Sequence, residues 1–226
     1  MSRSRREAAL AGGLYLLTVV TSVAALALKH PLVADPTLLA RDGGPARLMT
    51  AVVLELLLAV SCVGTAVALY PTVHRARPLS ALGLVCSRTV EAGIIVVGVL
   101  CMASLATLVS TGVSTQDSRV LVALHDWAFL IGPGVMPVVN ALLLAPALLR
   151  AGLVPRVIPI LGVVGAPLLL ASDLGTLFGV LGQVSTVAGL AALPIAAWEI
   201  SLGAWLLAKG FLPIRTEAAH HDLIVR

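Results

Sequence analysis

Six long apolar runs, separated by short polar connections, make up almost the whole chain. The runs cover about residues 8–28, 48–70, 79–109, 119–149, 157–181 and 187–208. A helix needs about 20 apolar residues, at a rise of about 1.5 Å each, to cross the hydrocarbon core of a bilayer. The pattern predicts an all-α protein, a polytopic membrane bundle of six transmembrane helices. Residues 1–212 would form this single domain and residues 213–226 a short cytoplasmic tail.

The composition supports a chain that is solvated mainly by lipid. Of its 226 residues, 59% are hydrophobic and 12% are charged, whereas a soluble domain carries about 25% charged residues. The net charge of +4 comes from basic residues that lie at the ends of the apolar runs. We therefore expect the lipid bilayer as a partner and no nucleic acid.

The positive charges in the connections indicate an orientation. With the amino terminus inside, ten Lys and Arg residues fall on the cytoplasmic side and four outside, which are Lys29, Arg41, Arg47 and Arg119. Cytoplasmic loops are enriched in Lys and Arg, so both termini are predicted to be cytoplasmic.

The first apolar run follows a basic start and resembles a signal peptide, and Ala25-Leu26-Ala27 would suit a cleavage site. Its length exceeds the roughly 7 to 15 apolar residues of a signal peptide, which favours a retained first helix. Cleavage would leave the orientation of the other five helices unchanged.

Five ionisable residues lie deep within the apolar runs. They are Glu55, Arg88, Glu91, Asp173 and Glu199. Each would cost about 3 kcal/mol in contact with lipid, so they are expected to face the interior of the bundle. Arg88 and Glu91 are three residues apart, on one face of a helix, and are expected to pair in part.

Helix rise converts residue number into depth within the membrane. Counted from the cytoplasmic ends, Arg88, Glu91 and Glu199 lie near the midplane, and Glu55 and Asp173 lie in the outer half. We expect these groups to share one polar layer. One arginine cannot neutralise four carboxylates, so a protonated carboxyl, a cation or water is predicted there.

Other polar and irregular positions lie near this layer. His125 and Asp126 are predicted near the outer surface, where a solvated pair is the simpler interpretation, and Asn140 is expected to bridge two helices. Trp198 precedes Glu199 and is the tryptophan best placed to line a site. The prolines of the fourth run, within and after Gly132-Pro133-Gly134, predict a kink because proline cannot donate a backbone hydrogen bond.

These positions give two sets of candidate functional residues. The candidate acid and base residues are Glu91, Glu199 and Asp173. The candidate ligand-binding residues are Arg88, Glu55, His125, Asp126, Asn140 and Trp198. The structural alternative is a buried ion pair between Arg88 and Glu91 or Glu199 that fixes the register of the helices.

Several known types of site lack support in the sequence. Lys29 and Lys209 lie at helix ends, so a retinal Schiff base is not expected. The zinc-protease motif HExxH, the phosphate-binding loop of NTPases and the dinucleotide loop are absent. No metal site is predicted, although Glu55, His125, Asp126 and Asp173 are the residues that one would use, and no cofactor is assigned.

The cysteines and one pair of glycines are interpreted as packing residues. Cys62, Cys86 and Cys101 fall within apolar runs without a metal-binding spacing and are expected to be buried packing residues. Gly175-x-x-x-Gly179 predicts a close-packing helix face, and such small-residue faces would permit oligomerisation.

Four segments carry a resemblance to a known family. They are Arg77-Pro78-Leu79, Arg88-x-x-Glu91, residues 149–156 (LRAGLVPR) and residues 193–210 (LPIAAWEISLGAWLLAKG). The chain resembles the bacterial membrane proteins of domain of unknown function 4386 over most of residues 8–212. Trp198 departs from the glycine that often stands before the last-helix glutamate in that family. The resemblance implies a six-helix, multi-pass protein of the bacterial inner (plasma) membrane and implies no activity.

The polar layer leads to one principal hypothesis and two alternatives. The principal hypothesis is a buried polar pocket within the membrane that binds a small lipophilic or amphiphilic molecule. The first alternative is an intramembrane acid–base enzyme, such as a lipid or terpenoid isomerase or cyclase, in which a protonated carboxyl acts as general acid. The second is a small proton-coupled transporter.

Overall fold

The structure, a computed structural model, describes residues 3–35, 38–39, 43–110 and 115–213, and these contain helices and no strand. The helices are α1 (Arg3–Ala34), α2 (Gly44–Ala76), α3 (Pro78–Ser110), α4 (Thr115–Phe129), a π-helical segment (Leu130–Val135), α5 (Met136–Ala151), α6 (Val157–Leu177) and α7 (Thr186–Ala208). The fourth span comprises α4 from Arg119, the π-helical segment and α5. Within the described residues, six spans are thus long and apolar enough to cross a membrane, which confirms the predicted architecture. Apart from Pro213, the predicted tail lies outside the described residues.

The six spans form a closed ring. Each span packs against the next one along the chain, and α7 returns to pack against α1. The Arg5 side chain of α1 donates to the carbonyl oxygens of Leu206, Leu207 and Ala208, which end α7. The last carbonyls of a helix have no partner within it and carry partial negative charge, so a guanidinium there stabilises the closure of the ring.

Two helix boundaries differ from those that the apolar runs predict. Helix α2 continues through Pro71 to Ala76, and Arg77 alone separates it from α3. Helix α6 ends at Leu177, because Gly179 adopts a left-handed conformation with φ +72°. The predicted close-packing face at Gly175-x-x-x-Gly179 is therefore wrong: Gly175 faces Leu181 of the following turn, and Gly179 lies outside the helix.

Buried apolar residues form two clusters at opposite ends of the bundle. One includes Tyr15 and Leu84, and the other includes Leu32 and Ile95. On α3, Ser87, Arg88 and Glu91 lie between these clusters, so these polar residues have a hydrophobic core on either side. Many large apolar side chains on the outside of the ring are exposed, which is the surface that a bilayer would cover.

The cysteines do not all pack in the interior. Cys62 and Cys101 are buried, as predicted, but Cys86 is exposed on α3. Cys86 is two residues before Arg88, and a helix places such neighbours on different faces. The prediction of a buried side chain was wrong for Cys86 because apolar character alone does not distinguish the interior of a membrane bundle from its lipid-facing surface.

Gly12 of α1 packs directly against the backbone of α7. A Cβ atom at Gly12 would lie 2.6 Å from the Gly203 carbonyl oxygen and 2.5 Å from the Leu207 backbone nitrogen of α7. Both are backbone atoms and cannot rotate away. Alanine at this position therefore requires α1 and α7 to separate.

We expect Gly12→Ala to lower the free energy of unfolding by about 1–3 kcal/mol, as overpacked sites do. Gly13→Ala is the matched control, because a Cβ at Gly13 meets no atom of the described part of the chain within 4 Å. This control should be neutral or stabilise the helix by up to about 1 kcal/mol. Denaturant titration in mixed micelles measures both variants, and equal stabilities would contradict the close contact.

Candidate functional site

Two carboxylates from different helices bind one arginine at the centre of the ring. Arg88 and Glu91 of α3 are 2% and 3% exposed. The Arg88 Nη1 atom lies 3.1 Å from Glu91 Oε2, and Nη2 donates to Glu199 Oε1 of α7 at 3.0 Å. The predicted pairing of Arg88 with Glu91 is thus confirmed. Glu199 extends the pair to the opposite side of the bundle.

An amide from α5 holds Glu91 in place. Asn140 Nδ2 donates to Glu91 Oε2 at 2.7 Å, and Ser87 Oγ donates to Asn140 Oδ1. Asn140 therefore bridges α3 and α5, as predicted. Together with Arg88, it supplies hydrogen bonds to both oxygens of Glu91, since Oε1 lies 3.4 Å from Arg88 Nη1. Such bonds to a charged group are stronger than neutral ones and offset part of the cost of burying it.

Tyr15 and Cys62 complete the surroundings of the guanidinium. The Tyr15 ring centre lies 5.2 Å from Arg88 Cζ, within the range of a cation–π contact. Cys62 Sγ lies 3.6 Å from Arg88 Nη1. Within the described residues, Arg88 Nε is buried without a hydrogen-bond partner. Nothing in the sequence singled out Tyr15, because a tyrosine in an apolar helix is an ordinary packing residue.

The two carboxyl groups differ in their hydrogen bonding. Both oxygens of Glu91 are occupied, whereas no hydrogen bond to Glu199 Oε2 is found among the described residues. The Glu199 side chain is 17% exposed, against 4% for Glu91. One guanidinium balances one of the two negative charges. The predicted extra proton or cation would therefore be placed best at Glu199, where an oxygen is accessible.

A cavity of about 200 Å³ opens beside this cluster. Its polar wall includes Arg88, Glu91 and Glu199, and Thr18 and Ser22 also line it. The remaining wall is mainly apolar and consists of Val23, Leu26, Leu58, Cys62, Ile95, Phe129, Pro133 and Pro137. The cavity thus combines a charged end with a hydrophobic body, which is the usual composition of a small-molecule site.

A second polar cluster lies toward the other end of α1. Lys29, 2% exposed, forms a buried salt bridge with Glu55 of α2. Its Nζ atom also lies 2.8 Å from His125 Nε2, and 4.4 Å from the centre of the Phe129 ring. His125 Nδ1 is 3.3 Å from Asp126 Oδ1. A tautomer with the proton on Nδ1 would donate to Asp126 and accept from Lys29, which satisfies both ring nitrogens.

The position of Lys29 corrects the interpretation of the sequence. Lys29 was expected at a helix end outside the membrane, but α1 continues to Ala34 and the long side chain reaches Glu55. His125 is likewise buried and bound to Lys29, whereas a solvated pair was the simpler expectation. The side chain of Asp126 is about half exposed. Because Glu55 pairs with Lys29, Arg88 has to balance only Glu91 and Glu199.

The ionisable residues do not form the single polar layer that the sequence predicted. They lie in an arginine cluster, a lysine cluster and a separate position at Asp173. Glu55 and Cys62 are seven residues apart on α2, so the lysine cluster lies about 10 Å along the helix from the arginine cluster. Asp173 of α6 belongs to neither cluster: it lies against Gly134 of the π-helical segment and lines another cavity. Trp198 is buried with its ring against Gly162 of α6 and does not line the cavity beside Arg88.

The π-helical segment occupies the position where the sequence predicted a kink. Residues 130–135 include Pro133, which has no backbone N–H to donate. Pro133 lines both cavities, together with Leu26 and Phe129. Such π-helical turns inside α-helices are frequent at functional sites because they displace the following residues.

Metal-binding geometry is not found in the part of the chain that the structure describes. No three side chains of His, Cys, Asp or Glu converge there as ligands. Lys29 lies between Glu55 and His125 and occupies the space in which such an ion would be bound.

Comparison with known proteins yields a family and nothing more specific. The model of a family described as a domain of unknown function (DUF4386) matches residues 10–210. The match includes every residue of both polar clusters and of the cavities. No curated protein and no solved structure matches the chain.

Proposed function

The chain belongs to the DUF4386 family, and we propose that it is a protein of the bacterial inner membrane, with both termini cytoplasmic, that binds a small amphiphilic molecule beside Arg88. The observation that carries this proposal is the accessible oxygen of Glu199 in a cavity whose other walls are mainly apolar. A purely structural ion pair needs no cavity beside it.

The residues of the site would have different roles. Glu91 has hydrogen bonds to both oxygens and, with Asn140, holds the guanidinium of Arg88 in position. Arg88 in turn orients Glu199 through one oxygen. The second oxygen of Glu199 would accept a hydrogen bond from the ligand. We propose that Glu199 is the polar contact of the ligand, and that Arg88, Glu91 and Asn140 are positioning residues.

The shape of the cavity restricts the ligand. A volume of about 200 Å³ is below the roughly 300–1,000 Å³ of sites for drug-sized molecules. The ligand would therefore be a small alcohol-like amphiphile, or one end of a longer lipid. Its hydroxyl group would donate to Glu199, and its hydrocarbon part would pack against Leu58, Ile95 and Phe129.

A photoreactive probe tests this proposal. The purified protein, in nanodiscs of phosphatidylcholine, is irradiated with a medium-chain primary alcohol that carries a diazirine on its last carbons, and labelled peptides are identified by mass spectrometry. We expect label on the residues around the cavity. Ser22→Leu fills the cavity from α1 and should lower this labelling about tenfold, because an overlap that costs about 1.4 kcal/mol changes occupancy by that factor.

Ser201→Leu is the matched control. Ser22 and Ser201 are both partly buried helical serines, and each donates to the carbonyl oxygen three residues earlier at 3.1 Å. Ser201 does not line the cavity, so its variant should keep the labelling of the parent protein. Equal labelling of the two variants, or label spread evenly over the exposed outer surface, would reject the proposal.

A further inference from the structure

We propose that the cavity beside Asp173 is a second and separate binding site, which takes small amphiphiles with a protonated amine as head group. This cavity has a volume of about 210 Å³ and lies between α6, α7 and the π-helical segment. The inference does not depend on ligand binding beside Arg88. Leu26, Phe129 and Pro133 line both cavities, but no charged residue among those described lines both.

Asp173 is a buried carboxylate without a cation. It is 8% exposed, and its Oδ2 atom is buried with no hydrogen-bond partner among the described residues. Among the residues that the structure describes, no lysine, arginine or histidine lines the cavity. The other buried carboxylates among the described residues, Glu55 and Glu91, each have a basic partner. Within the described part of the chain, Asp173 therefore lacks the basic partner that the other two have, and we infer that a cationic ligand supplies it.

The π-helical segment makes room for this carboxylate. Gly134 has no side chain, and a Cβ atom there would lie 3.3 Å from Asp173 Oδ1 and 3.4 Å from Oδ2. A larger residue would crowd the carboxylate from that side. Gly134 and Pro133 line the cavity together with Asp173, so the irregular turn forms part of its wall.

The rest of the cavity suits a hydrocarbon chain with a polar entrance. Leu26, Phe129, Leu130 and Leu169 contribute apolar side chains, while Thr176, Gln183 and Ser185 contribute polar ones close to the connection between α6 and α7. Gln183 donates to the backbone oxygen of Asp126 at 3.0 Å, which ties this connection to α4.

The negative charge of Asp173 favours a ligand with a positively charged head group. An ammonium group would pair with Asp173 through a charge-assisted hydrogen bond, which is shorter and stronger than a neutral one. An alcohol would gain only a neutral donor, and a fatty acid would add a second negative charge. The order of affinity at this cavity is therefore amine, then alcohol, then carboxylic acid.

Three diazirine probes of equal chain length, an alkylamine, an alcohol and a carboxylic acid, test this order in phosphatidylcholine nanodiscs at neutral pH. We expect the amine to label peptides that contain residues 169–176 and 183–192 at least tenfold more than the acid does. Asp173→Asn should reduce labelling by the amine to the level of the alcohol. Ser22→Leu should leave labelling here unchanged, which separates this result from that for the cavity beside Arg88.

Ala188→Leu provides a second variant that keeps the carboxylate. Ala188 lines the cavity and Ala191, one turn further along α7, does not, although both are partly buried. Ala188→Leu should reduce labelling by the amine and Ala191→Leu should not. Equal labelling by amine and acid, or an unchanged preference for amine in Asp173→Asn, would overturn the proposal and leave Asp173 as a structural residue.

Discussion

Replacing Lys29 by methionine is expected to destabilise the protein by about 3–5 kcal/mol, because the substitution leaves Glu55 buried without its cation. Lys29 is 2% exposed and Glu55 is 5% exposed, so water does not compensate for the lost partner. His125 Nε2 would also lose the contact with Lys29 Nζ. The loss is measured as the change in unfolding free energy from denaturant titration in mixed micelles.

A second substitution separates the cost of the unpaired charge from that of lost packing. Adding Glu55→Leu to Lys29→Met removes the remaining carboxylate and should recover most of the stability, since apolar residues of similar volume replace buried pairs at little cost. About 1 kcal/mol should stay lost, because His125 Nε2 still lacks the partner that Lys29 supplied. A double variant no more stable than Lys29→Met would contradict this account.

Lys209→Met is the control for Lys29→Met. Lys209 is an exposed lysine after the end of α7, and its replacement should change the unfolding free energy by no more than about 0.5 kcal/mol. Equal losses for the two lysine variants would show that Lys29 behaves as a surface residue.

Replacing Arg88 by methionine should have an effect of similar size, about 3–5 kcal/mol, because two carboxylates lose their common partner. Arg88→Lys should recover only part of this loss. The guanidinium contacts Glu91 through Nη1 and Glu199 through Nη2, and a single ammonium group cannot reproduce this planar fork. The order of stability expected in denaturant titration is parent, Arg88→Lys, Arg88→Met.

The two glutamates should differ in how well they rescue Arg88→Met. The Glu91 side chain is less exposed than that of Glu199, so neutralising Glu91 relieves the larger desolvation cost. We expect Arg88→Met with Glu91→Gln to be more stable than Arg88→Met with Glu199→Gln. If the double variant with Glu199→Gln were the more stable one, Glu199 and not Glu91 would be the carboxylate that holds Arg88 in place. Arg119→Met, at an exposed position of α4, is the control for loss of an arginine.

The proposed roles of the glutamates also predict their effects on ligand binding. Glu199→Gln should weaken labelling by the alcohol probe with a small change in stability, because it alters the proposed contact with the ligand. Glu91→Gln should mainly reduce stability. This separation distinguishes a ligand-binding residue from a positioning residue within one hydrogen-bonded cluster.

Several features of the site follow from local sequence alone. The spacing of Arg88 and Glu91 predicts their pairing because residues three apart share a helix face. The cost of a charge in hydrocarbon predicts that both are buried. The prolines of the fourth run predict an irregular helix, and the π-helical segment is found at that position.

Other features required the packing of distant helices. Lys29 was assigned to a connection because an apolar run with a lysine near its end does not show how far the helix continues. Asp173 was assigned to the same layer as Arg88 because helix rise gives depth but not the direction in which a side chain points. The contacts of Lys29 with Glu55 and His125, which are far apart in sequence, depend on how α1, α2 and α4 are rotated about their axes.

By itself, the sequence determined the number of spans, their approximate limits and the burial of the charged residues within the apolar runs, since these depend on apolar length and on the cost of charge in lipid. Only the tertiary structure decided which acid meets which base: Arg88 with Glu91 and Glu199, Lys29 with Glu55, and Asp173 with none of the described basic residues. The reason is physical, because an apolar surface is equally compatible with lipid and with another helix. The rotation of each helix is instead set by close contacts such as that of Gly12 with α7 and by the pairing of the charges themselves.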